Sequence, residues 1–173
     1  TLLHLIPYLT DQGLSDGVAV AIVSVWSASG AIGGLIFGFL AERRNIRLVL
    51  AGGILLMAAG FFFLLIVESP VRGFIWGFYT GLLGGGIFTL QQVVLADYYG
   101  RDSLGAIRGI FWPVQLVANS VGPVIAAYAY DTTGNYALIF TVFGILILVS
   151  SLCIFPARPP VVLPHPVTSL EHI

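Results

Sequence analysis

The stretch Gly38-Phe39-Leu40-Ala41-Glu42-Arg43-Arg44-Asn45-Ile46-Arg47 decides how this chain is read. It sets three arginines and a carboxylate between two apolar runs, each long enough to span a bilayer. A transmembrane helix needs about 20 predominantly apolar residues. Working outward from this basic hinge, five runs meet that length: 18–40 and 48–67 on either side of it, then 73–95, 107–130 and 136–155. Residues 1–9 read as the end of a truncated helix. Residues 156–173, rich in proline and without periodicity, read as a flexible tail. No ten-residue alternation of the kind that builds a membrane β-barrel is present. The expected fold is therefore an all-α membrane protein.

The joints between the runs carry breaker residues. Asp11 and Asp16 lie in 10–17, Glu68-Ser69-Pro70 ends the second full run, and 97–103 is polar around Gly100. Asp131-Thr132-Thr133-Gly134-Asn135 consists of turn formers throughout. Since each joint reverses the chain, alternate joints share a side. Arg43, Arg44, Arg47, Arg101, Arg108 and Arg158 then fall on one side and Arg72 on the other. Arginine bias in short loops marks the cytoplasmic face, which puts the tail inside the cell and the Asp131 joint outside. Tyr98, Tyr99 and Trp112 are expected at the inner interface, and Trp76, Tyr128, Tyr130 and Tyr136 at the outer one, where amphipathic rings settle.

Composition agrees with a lipid environment. Of 173 residues, 58% are hydrophobic and 9% charged, and the mean hydropathy is +0.99. A soluble domain carries about 25% charged residues. The formal net charge is −1 and there is no basic stripe, so a nucleic-acid partner is not expected. Cys153 is the single cysteine and cannot close an internal disulfide. The sequence offers no His-Glu-x-x-His spacing, no phosphate-binding loop and no nucleophile with a mid-membrane base. No metal, no cofactor and no catalytic residue is therefore predicted, and an intramembrane enzyme is the least supported of the readings.

Within the spans the informative residues are small or uncharged. Gly73, Gly77, Gly81 and Gly85 recur at every fourth position, as do Gly30, Gly34 and Gly38. That spacing puts each set on one helix face, where small residues let backbones approach. Static packing and a sliding surface need the same face, so both readings stay open. No ionisable residue lies in the middle of a full span, and such residues ordinarily mark proton or ion pathways. The polar candidates for a substrate cavity are Ser29, Gln91, Gln92, Gln115 and Asn119, with Trp26 as a wall or a lipid-facing ring. Each amide can equally be an interhelical hydrogen-bonding group, since an unpartnered amide in lipid is costly. Asn119 sits between Pro113 and Pro123, on a helix expected to kink. His4, before Pro7, is an outer-end polar candidate.

The opening decapeptide resembles the signature loop of major facilitator superfamily transporters, Gly-x-Leu-Ala-Asp-Arg-x-Gly-Arg-Arg/Lys. Gly38, Leu40, Ala41, Arg43 and Arg47 match, and Glu42 keeps the carboxylate. Asn45 stands where glycine is expected and tolerates left-handed backbone, and Ile46 replaces a basic residue. Further stretches resemble the monocarboxylate-transporter and oxalate/formate-antiporter branch. They are His4-Leu5-Ile6-Pro7-Tyr8-Leu9 with Gly13, Tyr98-Tyr99-Gly100-Arg101 with Gly105-Ala106-Ile107-Arg108-Gly109, and Gly122-Pro123 with Tyr130-Asp131, Gly134 and Tyr136.

The resemblance implies the C-terminal six-helix half of a twelve-helix fold, its first helix truncated, working with a missing N-terminal half. It implies a secondary transporter in the cell membrane that moves a small organic solute, a monocarboxylate or other organic anion, by alternating access. It also assigns gating to Gly38, Glu42, Arg43 and Arg47, with Asp97, Arg101 and Arg108 in the second cytoplasmic loop. The runner-up is a membrane scaffold or sensor that keeps the fold without transporting. One departure weakens the anion reading: relatives often carry a basic residue or acid–base pair in the eighth or eleventh helix, and here 18–39 and 110–130 hold none.

Overall fold

The computed structural model describes residues 2–100, 104–134 and 136–156. They form six helices: α1 Leu2–Asp11, α2 Asp16–Arg43, α3 Ile46–Leu64, α4 Pro70–Tyr99, α5 Leu104–Thr133 and α6 Ala137–Ile154. All but α1 are long and apolar enough to cross a membrane, which makes this a multi-pass membrane protein. Several helices outrun their apolar segments. At 1.5 Å per residue, the 28 residues of α2 reach about 42 Å against a hydrocarbon core of about 30 Å. Hydropathy marks the part of a helix in lipid; the hydrogen-bond ladder carries on into the interface.

The ends are set by local chemistry. Ser69 accepts the backbone N–H of Arg72, and Pro70 opens α4 at a position where its missing N–H costs nothing. α3 stops at Leu64 rather than 67, because Leu65, Ile66 and Val67 tighten into bonds three residues back. At the far end of α5, Asp131-Thr132-Thr133 stays helical where a turn was expected. The Thr132 and Thr133 hydroxyls donate back to the carbonyls of Tyr128 and Ala129, and the chain leaves only at Gly134, φ 68°.

Packing rests on close approach and on side-chain donors. α2 and α4 cross along their glycines: a methyl group at Gly33 would land on the carbonyl of Leu82, and one at Gly85 on the carbonyl of Gly30. This gives the dispersion contacts that hold helices together where lipid removes the hydrophobic drive. α3 is fixed differently, through its carbonyls. Tyr8 donates to Leu64, Trp76 to Gly60, Tyr79 to Leu56 and Ser151 to Ala51, at 2.7–3.0 Å. Trp76 is thereby corrected: it is 6% exposed against α3 rather than an outer interfacial anchor. Its indole N–H finds a partner inside the bundle, and that outweighs the pull of the headgroups. Two apolar cores result, one around Tyr8, Ile22, Leu64 and Phe140 and one around Phe37, Ile46, Leu50 and Leu90, called outer and inner after the sides that the arginine bias would give them. α5 stands apart, with Ala126 its one buried residue.

Candidate functional site

The basic hinge is more helical than its composition suggests. α2 carries Gly38, Glu42 and Arg43, and α3 begins at Ile46, so that Arg44 and Asn45 alone make the connection. Arg44 caps α2 with its N–H on Leu40 O at 3.0 Å. Asn45 has φ −60° and accepts the N–H of Arg47 at 3.1 Å, which caps α3. The left-handed backbone that motivated a glycine-like reading of Asn45 is absent; the residue is a helix cap. Ile46, where a basic residue was expected, is 9% exposed and belongs to the inner core. A cation there would be buried in an apolar cluster. The Arg43 guanidinium lies 4.1 Å above the Phe39 ring, one turn back. Glu42 is exposed and makes no ion pair among the described residues, where the one such pair is Arg72–Glu68 at 3.9 Å.

The fold brings the two inner loops together. Ala41, Arg44, Asn45 and Ile46 share a cleft of 460 Å³ with Asp97 and Tyr98 at the end of α4. Half-buried Arg47 lines a smaller, apolar cleft of 190 Å³ with Leu50, Val94, Tyr98 and Ile154. Arg108 is exposed near the start of α5, and Arg101 lies outside the described residues.

The mid-span candidates separate into two groups. Ser29 is 2% exposed inside the α2–α4 crossing, where its hydroxyl donates to Trp26 O at 3.0 Å and Gly77 O at 3.4 Å. In this chain it faces a helix backbone, not open space. Trp26 is half-buried and packs against the outer core. Gln91 and Gln92 are half-buried on the inner part of α4. Gln115 and Asn119 do line clefts. Both border one of 190 Å³ with Phe88, Trp112 and Leu116, between α4 and α5. Asn119 also borders one of 410 Å³ with Phe61, Gly122, Pro123, Phe143 and Leu146 among its walls, between α5 and the α3–α6 pair. The His4 side chain lies outside the described residues, though its backbone belongs to α1.

An outer-end constellation escaped the sequence reading. Tyr130 of α5 donates to Asp11 Oδ2 of α1 at 3.3 Å and stacks on Tyr136 at 4.2 Å between centroids. Tyr8 meets Phe140 edge-on at 4.9 Å. Burial, and then the nearby Tyr130, Asp11 and Asp131, push the Tyr136 phenol above its ordinary range. The residues are 119 apart in sequence, so no local spacing could have announced the contact.

Comparison with known proteins fits this geometry. Residues 1–169 match the family model described as Major Facilitator Superfamily. The chain is 30% identical over 162 residues to monocarboxylate transporter 12-B of Danio rerio, covering 88% of this chain and 33% of the relative. It is 29% identical to monocarboxylate transporter 12 of Homo sapiens, covering 90% and 31%. It is 25% identical to a probable nitrate transporter, NarT, of Staphylococcus epidermidis, covering 82% and 38%. The chain thus spans about a third of the length of these curated relatives.

Proposed function

This chain belongs to the Major Facilitator Superfamily, and from that premise we propose that it supplies the C-terminal six-helix unit of a secondary transporter for a small organic solute of the carboxylate class. The observation that carries the reading is the family match over residues 1–169, with relatives whose names specify monocarboxylate or nitrate transport. The partners are the solute, the lipid bilayer and a second six-helix unit. The two units rock about a site near the bilayer midplane, so that one face opens at a time. The arginine distribution supports a cytoplasmic position for the hinge and for the tail, in the cell membrane.

The hinge acts as the inner gate. Glu42, exposed and without an ion pair among the described residues, is placed to dock on a cation or helix N-terminus of the other unit when the inner side closes. A carboxylate at a helix N-terminus gains about 0.3–1 kcal/mol, enough to bias two states of similar energy. Arg43 is held against Phe39 and fixes the last turn of α2 beside it. Arg47, turned in among Leu50, Val94 and Tyr98, ties the hinge to the end of α4.

The test is uptake of small carboxylates by this unit together with the second six-helix unit in proteoliposomes, with and without an inward proton gradient. Saturable uptake, lowered by Glu42→Gln, is the expected result. Well-folded protein that takes up no carboxylate would remove this reading and favour a membrane scaffold or sensor.

A further inference from the structure

We propose that the end of the bundle carrying the basic hinge holds one acidic phospholipid with a hydroxyl-bearing headgroup, its phosphate on Arg44 and the start of an acyl chain in the apolar cleft beside Arg47. The chain's place in a membrane is enough for this, whatever solute the protein moves.

Two of the clefts adjoin, since Tyr98 lines both. The larger, of 460 Å³, adds Arg44, Asn45 and Asp97. The smaller, of 190 Å³, adds Arg47 with Leu50, Val94 and Ile154. The step between them follows the helices. On α3, Ile46 lines the polar cleft and Leu50 the apolar one; on α4, Tyr98 lines both and Val94 the apolar one alone. Four residues advance a helix by about 6 Å. Both steps lead from a helix end towards the middle of a membrane span. Polar walls thus give way to apolar ones with depth, in the order in which a phospholipid changes from headgroup to chain. An open cleft suits such a ligand, which enters sideways from its leaflet and keeps its headgroup in contact with water.

The charges select the headgroup. The described charged residues of the hinge and of the end of α4 are Arg43, Arg44 and Arg47 against Glu42 and Asp97, an excess of one positive charge. The Arg44 guanidinium and the Asp97 carboxylate are exposed walls of one cleft and make no ion pair with each other. Asn45 caps α3 with its side-chain oxygen, which leaves its amide nitrogen to donate. A phosphodiester accepts from the guanidinium and the amide, and its single negative charge matches the excess. The hydroxyls of a glycerol headgroup donate to Asp97. A zwitterionic lipid leaves the excess charge unmet. Basic pockets between membrane helices on the cytoplasmic side take acidic headgroups, and that is the side to which the arginine bias assigns the hinge.

Equilibrium binding of radiolabelled dioleoyl phosphatidylglycerol to the detergent-purified protein, this unit together with the second six-helix unit, tests the proposal. A saturable component is expected. Unlabelled phosphatidylglycerol should displace it better than phosphatidylcholine or phosphatidylethanolamine, and better than the chain-free headgroup glycerophosphoglycerol. Arg44→Gln keeps the backbone bond to Leu40 O and is expected to weaken that component about tenfold, the scale of a lost charge-assisted hydrogen bond. Val94→Phe puts a ring where the acyl chain would lie and is expected to weaken it to a similar extent. Arg72→Gln, at the opposite end of α4, is expected to leave it unchanged. Binding that never saturates reports ordinary bilayer lipid only and overturns the proposal. Equal displacement by a zwitterionic lipid or by the free headgroup does the same. So does unchanged affinity in Arg44→Gln or in Val94→Phe, or an equal loss in Arg72→Gln.

Discussion

The α2–α4 crossing and helix α5 are built from similar residues and pack in opposite ways. α4 carries Gly73, Gly77, Gly81 and Gly85, and α5 carries Gly105, Gly109 and Gly122. At Gly81 a methyl group would run into Ser29 and the carbonyl of Trp26, whereas at Gly105, Gly109 and Gly122 it would meet nothing within 4 Å. Glycine in a membrane helix is thus a permission for close approach, and it becomes a contact only when the partner helix is present and aligned. The crossing is the fixed core of this unit. α5, with both prolines and both cleft-lining amides, is the loosely packed part of it.

The largest effect that could break this contrast is steric. Gly85→Leu forces a side chain into the backbone of Gly30 and is expected to abolish the monodisperse peak in size-exclusion chromatography. Gly109→Leu on α5 should leave that profile unchanged, and equal damage from both would erase the distinction. A smaller contrast comes from the tryptophans. Trp76→Phe loses the 2.9 Å bond to Gly60 O and should cost about 1 kcal/mol, read as a lower melting temperature. Trp112→Phe, on a 54% exposed ring, should not move it. Glu42→Gln is expected to lower uptake about threefold with no loss of folded protein, since the dipole interaction it removes is modest. The smallest effect is that of Tyr130→Phe, which removes the 3.3 Å bond to Asp11 at the outer end. It should speed hydrogen exchange at the end of α5 while the α2–α4 amides stay protected.

Much of the fold was legible because hydropathy and spacing are local properties. The five long helices and the glycine faces follow from runs and periods in the sequence. What escaped was relational. Gly33 makes the tightest approach on α2, yet it lies off the Gly30, Gly34 and Gly38 series, and only the position of Leu82 reveals it. Ser29 reads as a cavity hydroxyl until α4 is laid across it. Trp76 reads as an interfacial ring until Gly60 supplies an acceptor. Asn45 carried a signal that could have been used, since asparagine just ahead of an apolar helical run is a capping residue. For the candidate site, the polar side chains were visible as residue types, but their division between Gln115 and Asn119 on clefts and Ser29 in a crossing needed coordinates.

The four bonds that fix α3 all end on its backbone, while the side chains that make them belong to α1, α4 and α6. The information for that docking is written on one side of the contact. Leu56 and Leu64 can be exchanged for other apolar residues and still present the same carbonyl, whereas Tyr8, Trp76, Tyr79 and Ser151 cannot be exchanged without losing a donor. Gly60 is the exception, because a methyl group there would strike Thr80. At these carbonyls α3 therefore has room to change its side chains while it is held in place, and replacement of Leu56 by another apolar residue should be absorbed far more readily than loss of the Tyr79 hydroxyl that grips it.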